Sequence, residues 1–150
     1  MATKSDHLTF EYVSKCLRYE PDTGDFYWRY AVNNKVKPGR LAGTAHNVGY
    51  RVITLNRNLM FAHRVAWLLS YGVWPTKEID HINGKKADNR LHNLREATRG
   101  QNGMNQGARS HNTLGLKGIY ANKQRGGYDA VCKVDGKRIY LGWAETVAGA

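Results

Sequence analysis

The stretch EIDHINGKKADNRLHNLREAT, from Glu78 to Thr98, places an acid and a histidine side by side and then returns through a second polar segment. Burial of Asp80 or His81 costs free energy unless the side chain is paired, and a folded core has no need of such a pair. We therefore expect a group outside the chain to satisfy them. Turn formers and apolar spacing predict a strand over EIDHI, a long turn, a strand over NLREAT and a short polar helix over RGQNGMNQ.

The residues before this stretch predict a mixed region of helices and strands. Apolar residues at helical spacing indicate a helix from Thr9 to Tyr19, capped by Thr9, and a second helix over FAHRVAWLLSYG that ends at Gly72. FYWRY is typical of a strand, and GYRVITLN and LMFA of a hairpin that turns at Asn56, Arg57 and Asn58. The apolar residues along one side of the second helix are predicted to form the main core. His63 on that helix is interpreted as structural or solvent-facing, outside the site.

The residues after the stretch predict a second, all-β region. GARSHNTLG has the composition of a linker. KGIYA, YDAVCKV and KRIYLGWA then read as three short strands joined by turns that contain glycine. The predicted fold class is therefore α+β, with a mixed helix-and-strand part at residues 1–106, a linker at 107–116 and a three-stranded antiparallel sheet within 117–150.

The charge of the chain points to a polyanionic partner. Lys and Arg number 23 against 12 Asp and Glu, which gives a formal net charge of +11. The excess is spread over the whole chain, which favours an extended nucleic-acid footprint over a single basic tail. No apolar segment is long enough to cross a bilayer, and the N-terminal residues lack the order of a signal peptide, so we expect no membrane partner and a cytoplasmic location. Cys16 and Cys132 lie far apart, which argues against a cysteine-rich zinc site.

The spacing of the polar residues resembles the HNH nuclease motif, the ββα-metal module, in the form found in phage and intron-associated homing endonucleases. That form runs D-H-x-x-G, then D-N-R-x-x-N-L-R, then a helix with a final Asn or His. The chain supplies the matching residues within roughly residues 49–106, with the motif itself at about 78–106: Asp80, His81, Gly84, Asp88, Asn89, Arg90, Asn93, Leu94, Arg95 and Asn102.

The resemblance assigns roles to four of these residues. It implies that Asp80 and Asn102 hold one divalent ion, that His81 is the general base for the attacking water, and that Asn93 ties the loop to the hairpin and helps to orient His81. An oxygen-only ligand set suits Mg²⁺ or Mn²⁺ better than Zn²⁺. Asn105 is the alternative to Asn102 as the final residue of the motif and ligand of the ion, and the spacing from Asp80 favours Asn102. Neighbouring strand residues face opposite ways, so Asp80 and His81 can share one site only where the strand ends or twists.

Basic residues around the motif are candidates for binding the DNA backbone, although each is equally explained as solvated surface charge. They are Lys85, Lys86, Arg90, Arg95 and Arg99.

The C-terminal stretch LKGIYANKQRGGYDAVCKVDGKRIYLGW is similar to the APETALA-type DNA-binding domain, which also occurs behind HNH modules in phage homing endonucleases. The resemblance implies a three-stranded sheet that docks on DNA and a helix behind it. Only AETVAGA follows the third strand, so a natural and a truncated end both stay open. Alternation does not assign the faces of the outward side chains proposed to contact DNA: Tyr120, Lys123, Arg125, Lys133 and Arg138. An accessory sheet that packs on the nuclease is the alternative.

Together these patterns predict a metal-dependent HNH endonuclease that nicks or cleaves double-stranded DNA, of phage homing type, acting as a monomer or homodimer in the host cytoplasm. One alternative is a non-cleaving DNA-binding or packaging-accessory protein that retains the fold. Another is a non-specific defence nuclease.

Overall fold

The computed structural model describes residues 8–31, 36–107, 112, 114–134 and 136–149. The chain divides into two compact units, 1–102 and 103–150. The α+β class predicted from the sequence is confirmed, because helices and small antiparallel sheets alternate along the described residues. The finer prediction of a domain at 1–106, a linker at 107–116 and a sheet domain at 117–150 stays a prediction, and residues 108–111 and 113 of the linker lie outside the described residues.

The first unit begins with a short helix and a hairpin. Helix α1 spans Phe10–Cys16 and is capped by the Thr9 side chain, as expected. The predicted continuation of this helix to Tyr19 is wrong, because Leu17 has extended backbone angles and begins strand β1, Leu17–Glu20. Strand β1 pairs with β2, Asp25–Trp28, so hydrogen bonds across the hairpin replace those of a longer helix. Aromatic residues, Tyr19 on β1 and Phe26, Tyr27 and Trp28 on β2, favour the strands.

A three-stranded sheet and a helix follow. Its strands are β3 (Thr44–Ala45), β4 (Arg51–Leu55) and β5 (Asn58–Phe61), in the order β3, β4, β5. Asn56 and Arg57 form the predicted turn with positive φ angles of 49° and 63°, which suits the twist of a two-residue hairpin. Helix α2, Ala62–Tyr71, ends at Gly72 in the left-handed conformation, as predicted.

The stretch that opened the sequence analysis forms a two-stranded ribbon and a helix. Strand β6 spans Glu78–His81 and β7 spans Leu94–Ala97, with a 3₁₀ turn at Leu91–Asn93 and helix α3 at Arg99–Asn105. The register pairs Asp80 with Arg95 and His81 with Leu94. Strand β6 ends at His81, as the shared use of Asp80 and His81 requires.

The core of the first unit lies between α1, the β1–β2 hairpin, the β4–β5 hairpin and α2. Helix α2 supplies Val65, Ala66 and Leu68 to it, and the ribbon adds Ile79 and Leu94. The catalytic candidates therefore stand on strands whose apolar neighbours are anchored in the core. No helix in the described part of the chain is long and apolar enough to span a membrane.

The second unit contains an antiparallel sheet in the order β10, β9, β8. Strand β8 spans Ile119–Ala121, β9 spans Tyr128–Val134 and β10 spans Lys137–Ala144, so all three predicted strands are present. The register shifts between Tyr140 and Gly142. The two cysteines form no disulfide: Cys16 is buried, whereas Cys132 on β9 is only partly buried.

Candidate active site

Asp80 is paired within the chain. Its side chain is buried on β6, and Arg95, directly opposite on β7, donates from Nε (3.0 Å) and Nη2 (2.7 Å) to Asp80 Oδ2. The expectation that a group outside the chain must satisfy this acid is therefore wrong. Charge-assisted hydrogen bonds from a guanidinium compensate the burial of the carboxylate.

His81 is also paired within the chain, so the same expectation is wrong for it. Its Nε2 lies 3.3 Å from Oδ1 of Asn89, a residue that is itself fully buried. Asn89 Nδ2 donates to the carbonyl of Ala87, which turns its amide oxygen toward the imidazole. From this orientation we assign the proton of neutral His81 to Nε2, which leaves the lone pair on Nδ1.

The environment of His81 favours its neutral form. Burial lowers its pKa from 6.5, and the positive charge of Lys86 acts in the same direction. The hydrogen bond with Asn89 and the carboxylates of Asp80 and Asp88 act against this effect without reversing it. A neutral imidazole at cellular pH is the form that accepts a proton.

The His81 imidazole packs in a cluster of rings formed by His63, Tyr50 and Phe61. The ring of His63, at the start of α2, lies edge-on to it at 5.1 Å between centroids, and the Tyr50 ring lies at 5.9 Å. Phe61 stacks on His63 at 5.5 Å. Burial, with smaller contributions from His81 and Arg64, lowers the pKa of His63 to about 3, so this imidazole is neutral. Its Nδ1 is buried without a hydrogen-bond partner among the described residues.

Asn93 holds the loop between the two ribbon strands. Its amide oxygen accepts from the backbone N–H of Asn83 (3.0 Å), and its amide nitrogen donates to the carbonyl of Asp88 (2.8 Å). These contacts fit the loop-tying role that the resemblance implied. The direct contact with the His81 ring, however, comes from Asn89.

Asn102 reaches the ribbon from α3. Its Nδ2 donates to Glu78 Oε2 at 2.7 Å. Glu78 and Asp80 are two residues apart on β6 and therefore lie on one face of the ribbon, the face toward which Asn102 extends. Burial raises the pKa of Tyr50, and the carboxylates of Asp80 and then Glu78 raise it further, so these acids also act on the Tyr50 ring.

The donor set in this region fits a hard divalent ion. Asp80 offers carboxylate oxygens, and Asn102 has its amide nitrogen engaged by Glu78, which leaves the amide oxygen as its ligand atom. The described residues contain no cluster of three or more His, Cys, Asp or Glu side chains able to hold a metal. A shell with two protein ligands would be completed by water and DNA oxygens, an arrangement usual for Mg²⁺.

The basic residues of the ribbon differ in how firmly they are held. Arg90 forms a bidentate ion pair with Asp88 (2.8 and 2.6 Å), which holds the pKa of Asp88 well below its usual value. Lys86 donates to the carbonyl of Val48 and lies over the Tyr50 ring at 5.0 Å. Lys85 is exposed in the loop, and Arg99 is exposed at the start of α3.

A turn of the N-terminal hairpin supports the loop at Asn89. The Tyr19 hydroxyl donates to the Asn89 carbonyl (2.6 Å), and the Leu91 N–H donates to the Pro21 carbonyl (2.9 Å). Gly24 has φ +78°, and a Cβ on it would lie 2.6 Å from the backbone of Asn89 and Arg90. The close approach explains why glycine is required at this position.

The sheet of the second unit has one basic, aromatic face. The register places Tyr120 opposite Asp129, Asp129 opposite Trp143, and Lys133 opposite Arg138, so these residues share a face. Arg138 lies over the Tyr120 ring at 5.3 Å, and Arg125 lies over the Trp143 ring at 4.6 Å. Lys123 is exposed in the turn between β8 and β9.

The comparison with family models concerns a segment that lies almost entirely in the first unit. Residues 60–104 match the HNH endonuclease family. The HNH segment runs from β5 through α2 and the ribbon into α3, and it includes His63, Asp80, His81, Asn93 and Asn102. The match covers less than half of the chain and supports a nuclease of the HNH class that acts on DNA. Neither the curated proteins nor the solved structures contained a match to the chain.

Sequence reasoning missed four residues around the site. Asn89 was part of the quoted motif without a role, and Glu78 and Tyr50 were read only as strand residues. His63 was placed outside the site. The spacing of Glu78 and Asp80 carried a usable signal, since residues two apart on a strand share a face. No sequence signal links Tyr50 or His63 to His81, because tertiary packing alone brings them together.

Proposed function

We propose that this protein is a metal-dependent HNH endonuclease that nicks or cleaves double-stranded DNA. The observation that carries the proposal is the meeting of three features at one ribbon: the paired Asp80, His81 at the strand end with a lowered pKa, and Asn102, which extends from α3 to the face of Asp80. The match of residues 60–104 to the HNH endonuclease family supports the same reaction.

His81 acts as the general base. Nδ1 accepts a proton from a water molecule while the water oxygen attacks the phosphorus atom, and the bond from phosphorus to the 3′ oxygen breaks. The leaving 3′ oxygen takes a proton from solvent, so the products carry 5′-phosphate and 3′-hydroxyl ends. The Asn89 amide oxygen favours the Nε2–H tautomer of the imidazole, in which Nδ1 is the nitrogen that can take up a proton.

Asp80 and Asn102 are the residues that would hold the metal ion, Mg²⁺ or Mn²⁺, one per site. When bound, such an ion supplies charge stabilisation to the phosphate and to the leaving oxygen. Glu78 fixes the amide of Asn102, and Asn93 keeps the loop in place between the strands. Each residue thus either contacts the reacting groups or holds one that does.

DNA binding is divided between the two units. Lys85, Lys86 and Arg99 on the first unit are suited to phosphate contacts, whereas the shared face of Lys133 and Arg138 is suited to a DNA groove. Lys133 and Arg138 stand directly opposite each other, a placement that disfavours folding by like-charge repulsion unless a polyanion compensates it. This pair supports the sheet as a DNA-binding module, and the APETALA type rests on the sequence resemblance of residues 116–143.

The phage homing role and the cytoplasmic location are part of the same proposal. They rest on the motif form with Asn102 at its final position and on the sheet that follows the nuclease unit. The active form is a monomer or a homodimer.

The test is cleavage of supercoiled plasmid by the full chain with Mg²⁺. We expect nicked and linear products, none in EDTA, and none with His81→Ala, whose DNA binding in a gel-shift assay persists because loss of a base lowers rate more than affinity. Asp80→Ala and Asn102→Ala lower activity and raise the Mg²⁺ concentration needed. His92→Ala, which removes an exposed histidine of the 3₁₀ turn, is the matched control. Full activity in EDTA, or of His81→Ala, would overturn the proposal, and a map of cut positions separates site-specific from non-specific cleavage.

A further inference from the structure

The pair formed by Asp80 and Arg95 sets two cations in competition for one carboxylate. Arg95 gives two hydrogen bonds to the same oxygen, Asp80 Oδ2, at 3.0 and 2.7 Å. In the function proposed above, the Asp80 carboxylate is also the charged ligand of a divalent ion. A guanidinium on this oxygen repels a divalent ion and occupies one of its ligand positions.

The two partners differ in mobility. The Asp80 side chain is only 5% exposed and stands on a strand anchored in the core, whereas the Arg95 side chain is 48% exposed. Arg95 can therefore move away through rotations of its long side chain, but Asp80 cannot. If the pair opens, the guanidinium is the group that leaves.

A DNA phosphate is the group suited to draw Arg95 away. A guanidinium binds phosphate oxygens through two parallel hydrogen bonds, as it binds a carboxylate. The scissile region of the DNA lies at Asp80 and His81 in the proposed reaction, so a phosphate there is within the reach of the same side chain.

We propose that Arg95 is an internal cation that weakens the hold of Asp80 on a divalent ion until DNA binds, when a phosphate takes over the guanidinium. This inference rests on the proposed function and adds a regulation of its metal site. Ion and DNA then bind with positive coupling, and by linkage each strengthens the binding of the other. The chain releases its divalent ion readily when no DNA is present.

The test measures Mn²⁺ binding to the full chain without DNA, by calorimetry and by the electron paramagnetic resonance signal of free Mn²⁺. Arg95→Ala is expected to bind Mn²⁺ up to roughly fivefold more tightly than the wild type, the upper end of the range for loss of a partly exposed charge. Lys15→Ala, which removes the same charge from the exposed last turn of helix α1, is the matched control and keeps the wild-type affinity. Asp80→Asn in the Arg95→Ala background abolishes the gain.

Removal of Arg95 takes two charge-assisted hydrogen bonds from a buried carboxylate, so the fold of the variant is checked by circular dichroism. Arg95→Gln serves if Arg95→Ala does not fold, because its amide keeps a donor near Asp80 without the charge. Equal or weaker Mn²⁺ binding by the folded variant overturns the inference, as does a gain that survives Asp80→Asn.

A second measurement adds mixed-sequence duplex DNA to His81→Ala chains with and without the Arg95 substitution. We expect the two chains to bind Mn²⁺ with equal affinity once DNA is bound. A difference in Mn²⁺ affinity that persists with DNA overturns the role of DNA. Failure of the proposed function is a separate result, because it is judged by plasmid cleavage with Mg²⁺. If the wild-type chain cleaves plasmid but Arg95→Ala binds Mn²⁺ with the same affinity as the wild type, only the inference is overturned.

Discussion

The amide nitrogen of Asn102 donates a hydrogen bond of 2.7 Å to Glu78 Oε2 and so connects the final residue of the motif to the first residue of strand β6. In the proposed metal site, the bond fixes which end of the amide would act as a ligand. Glu78 is therefore a positioning residue for Asn102.

Glu78→Ala is expected to raise the Mg²⁺ concentration for half-maximal nicking several-fold, because the Asn102 amide loses its partner and rotates freely. Glu78→Gln keeps an acceptor oxygen and retains most of the wild-type Mg²⁺ response. The measurement is a Mg²⁺ titration of plasmid nicking under single-turnover conditions. A Glu78→Ala variant with the wild-type titration curve would show that this bond has no part in metal binding.

In the proposed mechanism, the lowered pKa of His81 sets the acid limb of the pH–rate profile. The neutral imidazole is the active form, so the single-turnover cleavage rate should fall only at pH values below the ordinary 6.5. Lys86→Met removes a positive charge that lowers this pKa, so the limb moves to higher pH, whereas Lys85→Met leaves it in place. An acid limb above pH 6.5 in the wild type would contradict a buried base at this position.

His63 makes stability depend on pH. Its pKa is about 3 in the folded chain and 6.5 when unfolded, so the unfolded state binds the extra proton between these values and stability falls as the pH falls. Between pH 7.5 and pH 5 this one group removes about 2 kcal/mol from the free energy of unfolding. His63→Phe should lack that part of the loss, whereas the exposed control His92→Gln should keep it. Urea unfolding at pH 7.5 and at pH 5 gives the free energy of unfolding at each pH. An equal loss of this free energy in the wild type and in His63→Phe would refute the assignment.

The basic face of the sheet predicts the salt dependence of DNA binding. Lys133→Ala combined with Arg138→Ala should reduce the slope of log affinity against log salt by between about 1 and 2, since each neutralised phosphate contributes about 0.9. Lys137→Ala is the matched control, because Lys137 neighbours Arg138 on β10 but lies on the opposite face. Binding isotherms at several salt concentrations give the slopes, and an equal effect of Lys137→Ala would argue against a face-specific contact.

Gly24 tests the support beneath the loop. Gly24→Ala places a Cβ 2.6 Å from the backbone of Asn89 and Arg90, whereas Gly39→Ala, at almost the same φ, meets nothing within 4 Å among the described residues. Both substitutions carry the strain of a left-handed alanine, about 1 kcal/mol. Only Gly24→Ala should also lower cleavage, since it displaces the Asn89 amide from His81. Thermal unfolding and single-turnover nicking separate the two effects, and equal activity of the two variants would count against this support.

The sequence was sufficient for most of the elements and for the order of the motif. Period and turn signals located α2, the hairpin at Asn56 and Arg57, and all three strands of the second unit, because local interactions decide these features. The end of α1 was missed because pairing of Leu17 with Trp28 across the hairpin overrides the helical spacing.

The partners of the site residues were beyond sequence reasoning. Asp80 and Arg95 meet through strand register, and His81 meets Asn89 and His63 through the packing of a loop and a helix. Burial of a charged residue could be anticipated, but which side chain compensates it depends on the tertiary arrangement. For the same reason, alternation alone did not assign the faces of the C-terminal sheet until its register was known.

The turn at Pro21 and Gly24 has a consequence for how nucleases of this kind can be recombined. Residues 60–104 match the family as a continuous segment, yet the loop within that segment is propped by Tyr19, Pro21 and Gly24 from outside it. If residues 60–104 alone were grafted into another protein, the graft would contain every motif residue. Asn89 would still lack the supporting contacts from the N-terminal hairpin. The segment that is moved between proteins, by evolution or by engineering, therefore has to include the N-terminal hairpin.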